Sequence, residues 1–142
     1  MYKEILLPID ITQESSWINS LPVVIEYAKV FNSNIHVMTV IPDSGMAMVG
    51  QYFSKDAVSR IVEETKKSIH DFCDSNIPKD LNLFTVVTVG NVYESIITTA
   101  DKIEADLIVM SAHRPELKDY LLGPNAARVV RHSNKSVLVV RT

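Results

Sequence analysis

A single cysteine in 142 residues leaves no partner for an intrachain disulfide, so the chain must hold its fold without a covalent staple. None is needed, because a 46% hydrophobic content at this length fills one core. Cys73 shares the apolar stripe of a predicted helix with Ile61, Val62, Thr65, Ile69 and Phe72, and reads as a small buried hydrophobe rather than a reactive thiol. Positive charge is also short. A formal net charge of −3 gives no broad field to draw a polyphosphate backbone or an anionic membrane, so neither nucleic acid nor membrane is an expected partner. No window approaches the roughly 20 apolar residues of a membrane span. The opening run Ile5 to Ile9 is too short for a signal h-region and no small-residue cleavage site follows it, so a cytoplasmic protein is expected.

The four glycines are not grouped into a phosphate-binding loop. Without Gly-x-Gly-x-x-Gly after the first strand, an ordinary dinucleotide-binding Rossmann domain is excluded, and without Gly-x-x-x-x-Gly-Lys-Ser/Thr so is a P-loop NTPase. Zinc would need clustered Cys and His, yet His36 falls in a strand, His70 in a helix, and Cys73 stands alone, so no metal site is expected. A receiver domain would carry a phosphoacceptor aspartate after a central strand, where this chain has Val89-Gly90-Asn91.

What is present is a series of five short, β-branched apolar runs: Ile5 to Ile9, Ile35 to Ile41, Leu83 to Val89, Ala105 to Met110 and Ser136 to Arg141. The fourth is nearly unbroken after Asp106, as in a central parallel strand covered on both faces. The third partly alternates, as in a strand nearer an edge. Helical period occupies the intervals. Gln13 to Phe31 carries Trp17, Ile18, Leu21, Val24, Ile25 and Ala28 on one side, with a kink expected at Pro22. Ala57 to Cys73 is amphipathic. Asn91 and Glu94 form a capping-box pattern for a helix reaching about Ile103, and Pro124 suits the first position of a fourth. This β-α alternation implies one α/β domain over residues 1–142, a doubly wound parallel sheet with helices on both faces. The one long loop is Pro42 to Phe53, where Met46 and Met48 read as part of a crossover loop or a flap.

Ligands of open α/β sheets bind beyond the carboxyl ends of the strands, which confines a site to Pro8 to Thr12, Ile41 to Ser44, Gly90 to Asn91, and Ser111 to Asn125. The last segment, Met110-Ser111-Ala112-His113-Arg114-Pro115 followed by Gly123-Pro124-Asn125-Ala126, together with Lys3 to Asp10, Ala105 to Met110, Tyr120 to Gly123 and Val129 to Arg141, resembles the universal stress protein family over the whole length. That resemblance implies an adenine nucleotide alpha hydrolase-like sheet of order 3-2-1-4-5, binding ATP or another adenine nucleotide with Mg²⁺ as a candidate companion. It places Asp10 against the ribose and Pro8, Ile9 and Val40 beside the adenine. The phosphates would meet the segment after the fourth strand, through Met110, Ser111, His113, Arg114, Gly123, Pro124, Asn125 and Ala126. Nucleotide-binding members there carry Gly-x-x-Gly, nine residues, then Gly-Ser or Gly-Thr. In this chain Ser111 and Arg114 replace the first two glycines, the spacer is one residue shorter and Pro124 replaces the hydroxyl residue. Losing a hydrogen bond to a charged partner costs about 1.5–3 kcal/mol. Arg114 and His113 can offset this with charged or polar donors, so weakened binding is expected rather than none.

Each of these residues also has a plainer reading. Asp10 could cap the first helix, Ile9 could be core, His113 and Arg114 could be solvated, and Arg128 and Arg131 are expected to face water or pair with acids. Three functions stay open: a nucleotide-binding stress-response module, a nucleotide-free dimeric interaction protein, and, ranked last, a slow ATPase or phosphotransferase. No catalytic residue is expected. The family order sets the last strand at an edge, where Val137, Leu138, Val139, Val140 and Arg141 would pair with a second copy to form a homodimer.

Overall fold

The computed structural model describes residues 1–43, 55–112 and 124–141. The five apolar runs become β1 (Glu4–Pro8), β2 (Asn34–Pro42), β3 (Asn82–Gly90), β4 (Leu107–Ser111) and β5 (Ser136–Val140), with α1 (Ser20–Phe31), α2 (Lys55–Asn76), α3 (Val92–Lys102) and α4 (Pro124–His132) between them. All paired neighbours run parallel in the order β3-β2-β1-β4-β5. This is the doubly wound order the resemblance implied. β1 is the centre of the sheet, while β4 is interior but next to the edge strand β5. β3 is the other edge, in keeping with its half-polar pattern.

Alternate residues of a strand face opposite sides, and each side has its own core. Ile5, Leu7, Ile35, Val37, Leu107 and Val109 pack with Leu21, Val24 and Ala28 of α1 and Ile69, Phe72 and Cys73 of α2. Leu6, Met38, Ile108 and Met110 pack with Ile96 and Ala100 of α3 and Ala126 and Val129 of α4. Such burial contributes about 1.5–3 kcal/mol per large apolar side chain, which makes these two layers the main source of stability.

The kink expected at Pro22 does not form, because Gln13 to Phe31 is not one helix. A short 3-10 turn spans Glu14–Ser16, and α1 starts at Ser20. Pro22 therefore lies in the first turn, where its missing N–H would have had no intrahelical partner. α1 stops at Asn32, whose left-handed φ of 53° lets its neighbour turn into β2. α3 begins as its pattern predicts: Asn91 accepts from the N–H of Glu94 at 3.2 Å. Gly90 precedes it with φ +155°, and a Cβ there would stand 3.0 Å from Ser95 Oγ, so the strand-to-helix turn requires glycine.

Some strand ends shift from the sequence expectation. β1 closes at Pro8 rather than Ile9. β4 opens at Leu107 rather than Ala105, whose N–H instead bonds Ala100 O at the end of α3. Arg141 lies just past β5. Pro42 ends β2, and Gly45, Met46, Met48 and Gly50 of the expected loop lie outside the described residues.

Candidate functional site

The site originates in a mismatch of strand lengths. The ladder between β1 and β2 ends at Pro8 and Met38, with Ile9 N–H donating to Met38 O at 2.8 Å, yet β2 continues through Val40 to Pro42 beside β3. Backbone groups of alternate residues in a parallel strand point to the same neighbour. The N–H and C=O of Val40 therefore face the side on which β1 has already turned away, and among the described residues neither has a strand partner. Past them lies a cavity of about 420 Å³ lined by Pro8, Ile9, Asp10, Thr12, Ser16, Met38, Val40, Pro42, Val92, Ile96, Met110, Ser111, Pro124, Asn125 and Ala126.

The turn after β1 supplies its polar wall. Asp10 Oδ1 accepts from the backbone N–H of Thr12 at 3.0 Å and from the Thr12 hydroxyl at 2.6 Å. Ser16 Oγ accepts from Asp10 N–H at 2.9 Å and lies 2.8 Å from Asp10 O. Ser111, at the end of β4, is joined to the same turn: its hydroxyl lies 3.0 Å from Ser16 O and 2.9 Å from the Oγ of fully buried Ser20. Asp10 thus organises the turn rather than capping α1, whose N-cap is Asn19.

Opposite, two helices present their amino ends. Val92 and Pro124 are the first residues of α3 and α4, and both line the cavity. Helix amino termini favour negative charge, but Pro124 has no N–H to offer and Asn91 already occupies one donor of α3. Among the described lining residues Asp10 carries the only formal charge. The cavity is accordingly apolar along β1, β2 and β4, acceptor-rich at the Asp10 turn and electropositive at the helix ends.

Pro8, Ile9, Asp10, Val40, Met110, Ser111, Pro124, Asn125 and Ala126, singled out from the sequence, all line this one cavity. His113, Arg114 and Gly123 lie outside the described residues. Ile9 is both core and lining, being 6% exposed. Thr12 and Pro42 fall within the turns named from the sequence without being singled out, and sequence reading missed Ser16, Met38, Val92 and Ile96. Only Thr12 carried a local signal, since Asp-x-Thr is a pattern for a side chain that bonds the backbone two residues on. Arg128 is exposed, as expected, and among the described residues its guanidinium meets the Tyr93 ring, 5.4 Å from the centroid, rather than an acid. Cys73 is buried as read, and burial, reinforced by neighbouring Asp74, pushes its thiol up to about 11. Among the described residues no cluster of His, Cys, Asp and Glu could hold a metal ion, and no helix is long and apolar enough to cross a membrane.

Comparison with known proteins agrees with this architecture. A family model described as the universal stress protein family matches residues 1–141. Universal stress protein G of Shigella flexneri is 27% identical over 149 aligned positions, covering 99% of this chain and 100% of its own. Universal stress protein MJ0577 of Methanocaldococcus jannaschii is 25% identical over 166 positions, covering 99% of this chain and 96% of its own. The solved MJ0577 structure superposes with a TM-score of 0.75 at 26% identity, covering 100% of this chain and 97% of that one. A solved universal stress protein in complex with cAMP shares the fold at a TM-score of 0.63 and 21% identity, covering 99% and 98%.

Proposed function

This chain belongs to the universal stress protein family, and on that premise we propose that it is a nucleotide-binding stress-response module whose strand-end cavity takes ATP or another adenine nucleotide. The observation that carries the reading is the open backbone edge of Val40. One N–H and one C=O side by side match the adjacent acceptor and donor of adenine's Watson–Crick edge, and Pro8, Ile9, Met38 and Met110 supply apolar surface for the ring. Asp10 lies on the same cavity as an acceptor for sugar hydroxyls. The amino end of α4 suits phosphate but is weakened by Pro124. The cAMP complex of a family relative supports an adenine ligand in this fold.

Binding rather than turnover is the better fit to these residues. Phosphoryl transfer needs a positioned base and usually a second carboxylate to hold metal. Asp10 is the sole carboxylate lining the cavity among the described residues, and Thr12 already occupies its Oδ1. Any Mg²⁺ would be held chiefly by the nucleotide's own phosphates, with Asp10 as the available protein oxygen. Titration calorimetry with ATP and Mg²⁺ should give a dissociation constant between about 1 μM and 1 mM. No heat, and no thermal stabilisation at millimolar nucleotide, would overturn the reading.

The same proposal takes residues 1–142 as one domain that forms a homodimer through β5. β5 is an edge strand, its residues Val137, Leu138, Val139 and Val140 are only half buried, and it contains no proline. Pairing two β5 strands about a two-fold axis satisfies both edges at once. Light scattering should show a dimer for the unmodified protein and a monomer or aggregate for Val139→Pro, which removes a ladder donor. A monomer at high micromolar concentration of the unmodified protein contradicts the dimer.

A further inference from the structure

We infer that the seam between α3 and α4, formed by Tyr93, Arg128, Arg131 and His132, is a docking surface for an acidic segment of a protein partner. None of these four residues lines the strand-end cavity, so the surface is separate from that site. Residues 124–142 contain Arg128, Arg131, Lys135 and Arg141 and no Asp or Glu, in a chain whose formal net charge is −3. Positive charge is thus gathered on the last helix and strand of an otherwise acidic protein. The spacing i, i+3 and i+4 sets Arg128, Arg131 and His132 on one face of α4, and all three are exposed. Arg131 and His132, in the last turn, complement the negative carboxyl end of the helix, but Arg128 stands midway along α4 and has no such role.

Tyr93 holds Arg128 in place. Its ring centroid lies 5.4 Å from the guanidinium carbon and 5.9 Å from the centre of the His132 imidazole. A guanidinium stacked on a ring uses its face and keeps its in-plane N–H groups free, and among the described residues neither Arg128 nor Arg131 makes a hydrogen bond or ion pair. That free fork matches a carboxylate. Because the ring already restricts Arg128, less ordering cost remains for binding, and Tyr and Arg are the residue types that most often anchor an interface. The neighbouring charges favour polypeptide over nucleic acid. The arginines lie about one helical turn apart, and α3 beside them carries Glu94 and Asp101. A phosphate chain, charged at every unit, would cross those carboxylates, whereas a polypeptide can place its acids over the arginines alone. α3 rests on β2 and β3 and α4 on β5, so the seam lies on the side of α4 away from the β5 edge. Pairing through β5 leaves it open.

Fluorescence anisotropy on the full chain, with a labelled oligoglutamate peptide, an oligolysine peptide and a single-stranded oligothymidylate, tests the surface. Oligoglutamate should bind saturably and more tightly than the other two, and should shift the ¹⁵N-labelled amides of Tyr93, Arg128, Arg131 and His132 while leaving that of Val40 unmoved. Replacing both cations, Arg128→Gln with Arg131→Gln, should weaken it about fivefold or more. Gln is nearly as good a helix former as Arg, so the fold should persist. Tyr93→Leu, which keeps both charges and removes the ring beneath Arg128, should weaken it about twofold or more. Taking the same charge from α2, Lys66→Gln with Lys67→Gln, should change the affinity by less than about twofold. Absent oligoglutamate binding, binding that the seam variants leave unchanged, or equal weakening by the α2 pair would overturn the inference. So would tighter binding of oligothymidylate, which would make the seam a nucleic-acid surface.

Discussion

The two ends of the sheet treat their polar backbone edges in opposite ways. At the amino end the chain satisfies itself. Asp106 accepts from the N–H of Lys3 at 2.8 Å and of Glu4 at 3.2 Å. Asn34 donates to both carboxylate oxygens of Glu4, His36 Nε2 meets the same carboxylate at 3.1 Å, and Lys3 Nζ bonds Phe31 O at 2.9 Å. At the carboxyl end β1 stops before β2, the polar edge of Val40 meets no strand among the described residues, and two helices direct their amino ends into the gap. The difference teaches where stability and function reside. Hydrogen bonds closed within the protein hold the fold, and those left open are available to a ligand.

Breaking the amino end should therefore cost stability and leave binding alone. Asp106→Ala removes the acceptor of two backbone N–H groups and should lower unfolding free energy by about 2 kcal/mol or more in urea denaturation. Its affinity for ATP should not change. If ATP affinity fell with stability, the two ends would not be separable in this way.

The converse change sharpens the carboxyl end. Pro124→Ser returns an N–H and a hydroxyl to the first residue of α4 and should tighten ATP binding about tenfold, read by calorimetry. The same variant should leave the affinity for adenosine nearly constant, since adenosine has no phosphate. Unchanged ATP affinity would move the phosphates away from α4.

Cys73 belongs to neither end, and near neutral pH it has the smallest effect, because its contribution changes only in the alkaline range. Its thiol titrates near 11 rather than the ordinary 9.0, so the native state holds the proton more tightly than the unfolded chain does. The resulting stability is fully present below the unfolded value and is lost as pH rises through the folded one. Denaturation midpoints measured from pH 8 to 11 should fall more steeply for the unmodified protein than for Cys73→Ala. Parallel slopes would mean that the thiol is not held protonated by burial.

The core was the most legible part of the sequence, whereas the polar contacts of the amino end had no signature in it. Apolar runs and helical stripes report burial directly, so five strands, four helices and the buried Cys73 could be read from pattern alone. Strand ends could not. Whether β1 closes at Pro8 or Ile9 depends on where its partner strand departs, a tertiary fact with no local signature, and Val40's open edge follows from that fact. Pro22 misled because proline marks the first turn of a helix as well as a kink, and only the placement of Trp17 and Asn19 outside α1 distinguishes the two. Ser16 was illegible for another reason: its role depends on folding back six residues onto Asp10 and on meeting Ser111 from β4, which is distant in sequence.

The contrast between the two ends can be measured in one titration. Adding AMP to ¹⁵N-labelled protein and following backbone amide chemical shifts tests whether ligand meets the open edge of β2. The account predicts saturable shifts at Val40, Ile9, Asp10, Thr12 and Ser111, with the amides of Glu4, Asn34, His36 and Asp106 unmoved. Shifts centred on the amino end, or an unmoved Val40 amide at saturating AMP, would contradict it.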